Sequence, residues 1–436
     1  STRKESSAAS DVYKRQEVIR RIIIEGQEFV NEISLTERPF FFEQKGNYVF
    51  VGIRQAGKSY LLYQGIQQLL REEHNINEIV YINFDDERLR QMTADDLDLI
   101  LQAYHSLFDL RPLLFFDEIQ NIEGWEHFAR RLANQKYNIY ITGSNAKMLS
   151  REIATTLGGR FWNKDVYPYS FAEYLNARNI ILSKNWIYGK QAAEVSKAFN
   201  DYFLYGGFPE LTDVIAKRVW LNDIYSKIFF SDLIVRNKVR NEEALGLLVR
   251  RLAENVKQPI SYTRLANLIS SIGIKISKAT VIEFIRYLKE SCLIFPIENY
   301  AAKFAERNSN MKHYFIDNGL LSIFLLDGNT SLLENIVAIH LYKRYGAQLY
   351  FYNQNIEVDF IIPEAKTAIQ VSYSLMDETT CRREVEGLIK LNRVFPMDNM
   401  CIITRDEERI ITHESGVSIH VIPVWKWLLE EEPLQT

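Results

Sequence analysis

From residue 17 to residue 42 the apolar positions of EVIRRIIIEGQEFVNEI recur at helical spacing, which predicts a leading helix running toward Pro39. The period then changes. Residues 47–51 (NYVFV) form an unbroken apolar run of strand length, GIRQAGKS follows at once, and YLLYQGIQQLL returns to a helical period. Three more strand-length runs follow, at 79–84 (IVYINF), 113–116 (LLFF) and 138–141 (NIYI), with helical patterns between them. Unbroken apolar strands alternating with helices predict an α/β fold: a mostly parallel sheet covered on both faces.

Past Pro168 the strands stop. AEYLNAR, EVSKAFNDYFLYGGFPELTDVI and DIYSKIFFSDLIVRNKV read as helices, so residues 169–243 are expected to form a helical region. Residues 244–311 hold ALGLLVRRLAENV, SYTRLANLIS, a SIG turn and SKATVIEFIRYLKE, then the apolar CLIFPIE. Three helices followed by a strand pair outline a winged helix. From Lys312 strands return (HYFID, QLYFY, EVDFII, AIQVSYS, CIIT) around the helix LENIVAIHLYKRY, which predicts a second α/β domain over 312–436. Residues 1–16, STRKESSAASDVYKRQ, are polar and unpatterned, and DVYKRQ resembles a translated sequencing-adapter end. They are expected to be a non-native or disordered leader, leaving 17–168 as the first domain.

Gly52, Ile53, Arg54, Gln55, Ala56, Gly57, Lys58 and Ser59 match the P-loop pattern between a predicted strand and a predicted helix, the context the motif requires. Glycines let consecutive amides turn inward toward phosphate, and the following helix adds the positive end of its dipole. Lys58 is expected on the β- and γ-phosphates and Ser59 on Mg²⁺, with Tyr60 completing the binding segment. The run LLFFDE ends in the acids such a loop needs: Asp117 to hold the metal through water, and Glu118 as the general base for an attacking water. That pair points to hydrolysis. After the next strand, TGSN offers Ser144 or Asn145 as a sensor of the γ-phosphate; both equally suit the capping of the helix that follows. Arg160, behind Gly158 and Gly159, is a candidate arginine finger in cis or from a neighbouring copy, or else a solvated surface arginine.

Composition narrows the partners. Of 436 residues, 52 are Lys or Arg against 56 Asp or Glu, a formal charge of -4, so nucleic-acid or membrane-surface binding must be local if it occurs. Three scattered cysteines, Cys292, Cys381 and Cys401, support neither a disulfide framework nor a zinc site, and a reducing cytoplasm is expected. No apolar run approaches the roughly 18 residues of a membrane span, so no membrane partner is expected.

GIRQAGKS, LLFFDEIQNIEGWE, YITGSN and LGGRF, followed by YPYSFAEYL and YGGFPEL, resemble the prokaryotic AAA-type ATPase family whose members carry a C-terminal domain of unknown function distantly similar to PD-(D/E)XK nucleases. The resemblance spans about residues 40–430. It implies an additional-strand NTPase core, Glu118 as the catalytic glutamate, and Arg160 as a trans-acting or sensor arginine. A nuclease of the resembled fold needs a metal-binding Asp at the EVD position, and Asp359 is present. It also needs an acid and a lysine on the next strand, where this chain has Gln370 and Ser372, so a nuclease-like shell without hydrolytic activity is expected. In the winged-helix segment, Lys278, Thr280, Arg286 and Lys289 could meet DNA, but Glu283 and Glu290 dilute their charge and favour a structural or protein contact.

These features predict an Mg²⁺-dependent ATPase with ATP and ADP as ligands, coupling nucleotide state to the winged-helix and nuclease-like region. A protein partner, DNA, and other copies of the chain are its candidate partners. The alternative is a nucleotide-gated protein- or DNA-binding switch with little turnover.

Overall fold

The first helix, α1 (Thr2–Glu32), begins inside the segment expected as a leader, so residues 2–16 extend the amphipathic helix instead of preceding it. Those residues contain neither glycine nor proline, and nothing in them stops a helix nucleated downstream from propagating. Ile19, Ile22, Ile23 and Val30 bury the apolar stripe of α1, and Arg15 bonds Asp96 at 2.7 Å. The computed structural model describes residues 2–43, 46–303, 307 and 310–430, with side chains from residue 12 onward. It divides into two compact units that meet in the chain between Val166 and Tyr167.

The first unit is built on β1 (Tyr48–Val51), α2 (Lys58–Arg71), β2 (Ile79–Asn83), α3 (Asp98–His105), β3 (Leu113–Asp117), α4 (Trp125–Asn134), β4 (Ile139–Gly143), α5 (Arg151–Leu157) and β5 (Trp162–Asp165). The strands form one sheet in the order β2-β3-β4-β1-β5, with every pairing parallel. All four β1 residues are buried, as expected of a strand covered on both faces. Phe115 of β3 and Tyr140 of β4 stack with ring centroids 4.4 Å apart in the middle of the sheet. Strand β5 is the element the apolar pattern does not reveal: its sequence WNKD is exposed along its length, because it is an edge strand. Its register on β1, Tyr48↔Trp162 to Val51↔Asp165, still fixes which end of the sheet each neighbouring loop occupies.

The second unit opens with α6 (Phe171–Ala177), α7 (Gln191–Tyr205) and α8 (Lys217–Lys227), the last running into a π-helical stretch, Ile228–Val235. Then come α9 (Glu242–Glu254), β6 (Ile260–Ser261), α10 (Tyr262–Ser270), α11 (Lys278–Glu290), β7 (Ile294–Asn299) and β8 (Asn310–Phe315). The helix Asn329–Tyr345 precedes β9 (Tyr350–Asn353), β10 (Glu357–Ile362) and β11 (Thr367–Val371). The helix Glu378–Val394 leads to β12 (Asn399–Thr404), β13 (Arg409–Thr412), β14 (Ser418–Pro423) and a last helix, Val424–Glu430.

These strands make a single nine-stranded sheet, in the order β13-β14-β12-β11-β10-β9-β7-β8-β6. The boundary expected between residues 311 and 312 therefore falls inside β8, which pairs antiparallel with both β7 and β6. The apolar pattern could not show this, because β7 also pairs in parallel with β9 and carries the sheet across the expected division. Among the described residues no helix is long and apolar enough to cross a membrane.

One buried acid secures the turn into the helix that follows β8. The Asp317 carboxylate accepts from the amides of Gly207 at 2.8 Å, Gly319 at 2.8 Å and Leu320 at 3.3 Å. Burial lifts its pKa to about 6 against the opposing pull of those three amides. Asp317→Ala leaves the amides without their acceptor and is expected to lower the unfolding free energy by about 3 kcal/mol in urea titration; an unchanged midpoint would remove Asp317 from this role.

Candidate functional site

The site of the first unit grows from the end of β1. Gly52 follows the strand directly, and a Cβ at that position would lie 1.9 Å from the Val166 carbonyl oxygen, so only glycine lets the two chains pass. The loop then turns through Gln55 (φ 61°) and Gly57 (φ 96°), and Gly57 starts α2 without any side-chain cap. The first-turn amides of α2 have no acceptor within the helix, the arrangement that receives anions. Arg38 donates to the Ala56 carbonyl at 3.2 Å. Gln64 of α2 in turn donates to the carbonyls of Arg38 and Phe40, strapping the preceding segment to the helix.

Lys58 is buried and donates to the carbonyls of Gly52 at 3.1 Å and Ile53 at 3.0 Å. Its ammonium is also 3.6 Å from a Glu118 carboxylate oxygen. Glu118 has a φ of 52°, a left-handed conformation that costs a side-chained residue on the order of 1 kcal/mol. Its amide, donating to Thr142 Oγ1 at 3.0 Å, holds that turn in place. Gln120 Nε2 donates both to the Glu118 carboxylate and, at 3.2 Å, to Ser144 Oγ. Burial by itself would raise the Glu118 pKa; the Lys58 charge, the Gln120 and Ser144 hydrogen bonds and the Arg54 charge together hold it below the ordinary value.

Asp117 ends β3 with 1% of its surface exposed. Burial, then the Glu118 charge, lifts its pKa, opposed by hydrogen bonds from Thr142, Ser59 and Tyr81. Lys58, Ser59, Asp117 and Glu118 thus meet at one end of the sheet. Tyr60, half exposed, lies next to them on α2.

Two expected residues are placed elsewhere. Asn145 turns its Oδ1 onto the Lys147 amide at 2.9 Å and caps a short 3₁₀ turn, Ala146–Leu149, while Ser144 is the member of the pair that reaches the Gln120–Glu118 group. Arg160 is exposed, bonds the carbonyl of Gly158, and its own carbonyl accepts from Asn47, which precedes β1. The P-loop follows the other end of β1. Because β5 runs parallel to β1, Arg160 lies a strand length away from its own loop, roughly 13 Å for four residues. This position sets Arg160 apart from the P-loop of its own chain.

Tyr81, Thr142 and Gln120 were invisible as site residues, since each reads as an ordinary residue of a buried strand or a turn. The second unit holds another missed residue. Lys312 of β8 is wholly buried, 3.1 Å from Glu334, 3.2 Å from Asp359 and 3.9 Å from Glu357. A cation thus does stand beside Asp359, on β8 and not on β11. A lysine within an otherwise buried strand was the available signal. Gln370 accepts from the Asp359 amide at 2.9 Å and donates to the Glu357 carbonyl at 3.1 Å, and Ser372 donates to the Ser374 carbonyl. Glu334, Glu357, Asp359, Gln370 and Ser372 border a cleft of about 690 Å³. Burial raises the Glu334 pKa to about 7, with the Lys312 charge opposing.

A family described as "AAA domain" matches residues 44–175, and a domain of unknown function, DUF8612, matches residues 196–331. An uncharacterized protein of Methanocaldococcus jannaschii is 32% identical over 96% of this chain and 97% of its own length. An uncharacterized protein of Haemophilus influenzae is 30% identical over 88% of this chain and 94% of its own. Among solved structures, a Walker-type ATPase of Pyrococcus abyssi covers 69% of this chain and 95% of its own, at 15% identity and a TM-score of 0.39.

The position of Arg160 has a direct consequence. Arg160→Ala is expected to leave the affinity of dilute protein for a fluorescent nucleotide within about twofold of the parent value; a loss of about tenfold would return the arginine to its own loop.

Proposed function

The chain belongs to the family of these Methanocaldococcus and Haemophilus proteins and carries its AAA domain, and on that premise we propose that it is an ATPase that binds ATP with Mg²⁺ and hydrolyses it. The observation that carries this reading is the meeting of four groups beyond β1 and β3. Ser59 bonds Asp117, and Lys58 faces Glu118 at 3.6 Å.

The donor set fits the metal. Ser59 and Asp117 offer hard oxygen ligands, and the burial that raises the Asp117 pKa is the condition under which a divalent cation next to it is most favourable. Gly52, Ile53, Arg54, Gln55, Ala56 and Gly57 supply the backbone that wraps the phosphates, and Lys58 exchanges its carbonyl partners for phosphate oxygens. Mg²⁺, when bound, neutralises charge on the phosphates. Glu118, kept ionised by Lys58 and Gln120, is the group with the protonation state to accept a proton from water. Gln120 and Ser144 take the sensing role in place of Asn145, because they already touch the general base.

We extend the reading to the rest of the chain. The chain leaves the first unit at Val166, whose amide donates to the Val51 carbonyl at 2.6 Å and whose carbonyl abuts Gly52. The loop thus packs on the last residue of the first unit, which supports a coupling of nucleotide state to the chain that follows. Helix order and strand pairing from α9 to β8 support a winged helix there. On α11, Arg286 lies 3.7 Å from Glu283 and 4.0 Å from Glu290, so its charge is spent locally and the helix favours a protein contact over DNA. The Asp359 cluster supports a nuclease-like shell without hydrolysis, since Lys312 is surrounded by carboxylates and Gln370 is committed to backbone.

Two measurements test this. Glu118→Gln should retain ATP while lowering steady-state hydrolysis by roughly 100-fold or more, whereas Lys58→Ala should weaken ATP binding by about tenfold or more. Hydrolysis by Glu118→Gln at the parent rate would end the general-base assignment. For the second unit, no metal-dependent cleavage of plasmid DNA is expected; cleavage that disappears in Asp359→Ala would make the shell an enzyme.

A further inference from the structure

Asp117 is held from both sides by hydroxyl groups that belong neither to the P-loop nor to the acid pair. Tyr81 of β2 donates to Asp117 Oδ2 at 2.8 Å, and Thr142 of β4 donates to Oδ1 while accepting the Glu118 amide at 3.0 Å. Behind Tyr81 stands Tyr63 of α2, its hydroxyl oxygen 2.9 Å from that of Tyr81. Tyr81 donates to Asp117 and so spends its one proton there, which makes Tyr63 the donor to the Tyr81 oxygen. The direction of the chain is thus Tyr63 to Tyr81 to Asp117. Both tyrosines are 7% exposed, which leaves their hydroxyls little competition from water. Tyr63 is four residues beyond Ser59 on α2, so the helix face that presents the metal-side hydroxyl also presents the start of this chain.

We propose that Tyr81, oriented by Tyr63, is a positioning residue that keeps the Asp117 carboxylate turned toward Ser59 and so sets how much Mg²⁺ contributes to nucleotide binding. The inference rests on the reading of Asp117 as the metal-side acid. Tyr81→Phe keeps the ring and removes the donor on Oδ2, which loosens the carboxylate's orientation about its bond to Cβ although Thr142 still holds Oδ1. Among the described residues the hydrogen bonds of the Tyr81 hydroxyl go to Tyr63 and Asp117, away from the phosphate loop. Metal-free nucleotide binding should accordingly be spared.

The test is an equilibrium titration with a fluorescent ATP analogue, in EDTA and in excess Mg²⁺, on the full chain. Tyr81→Phe is expected to keep its affinity in EDTA within about twofold of the parent value and to lose roughly tenfold of the gain that Mg²⁺ confers. Tyr63→Phe should lose part of the same gain, and it carries the test if Tyr81→Phe does not fold. A gain from Mg²⁺ identical in parent and variants overturns the positioning role. Equal loss in EDTA and in Mg²⁺ also rejects it, because the damage is then to the fold or to nucleotide contact. If the parent protein itself gains nothing from Mg²⁺, the metal-side reading of Asp117 fails, and this inference fails with it in a recognisably different way.

Discussion

The close passage of Gly52 beneath the Val166 carbonyl is the contact on which the geometry of the first unit turns. A side chain there would push the end of β5 off β1, since the Val166 amide is also bonded to Val51. With the contact made, the loop has to turn inward at once, and α2 begins with its amides facing the same side as Lys58. Strand β5 contributes almost no apolar burial, so its place depends on the backbone bonds to β1 that this passage permits.

Charge is concentrated where that loop meets β3. Asp117 and Glu118 are adjacent carboxylates, and burial first, then the Glu118 charge, raises the pKa of Asp117. Lys58 divides its ammonium between two carbonyls and Glu118, which leaves Asp117 to be stabilised by neutral hydroxyls. The two acids therefore differ in their environment before any ligand arrives: one is paired with a cation, the other is encircled by donors. That difference allows adjacent residues in one sequence motif to take separate chemical roles.

The second unit solves a similar problem in another way. Lys312 brings a full charge into a buried strand, and Glu334 from a helix and Glu357 and Asp359 from β10 compensate it. Gln370, where an acid was expected, stitches β11 to β10 through the oxygen and the nitrogen of its side-chain amide. A neutral side chain at position 370 adds no negative charge to a cluster that already has three carboxylates for one lysine.

The sheet of the first unit and its phosphate loop were legible in the sequence because they are written locally: unbroken apolar runs mark buried parallel strands, and glycine and lysine at fixed spacing mark the turn between them. The helix over the start of α1 was not legible, because polarity alone does not distinguish a loose segment from a stretch of helix. Edge strand β5, the sheet running through the expected boundary at residue 312, and the position of Arg160 at the far end of β1 were decided only in three dimensions. So were Tyr81, Thr142 and Lys312, whose partners lie 36, 25 and 22 residues away. Sequence spacing records which backbone a segment forms, whereas strand order and direction determine which distant side chains share a carboxylate, and no local pattern encodes strand order.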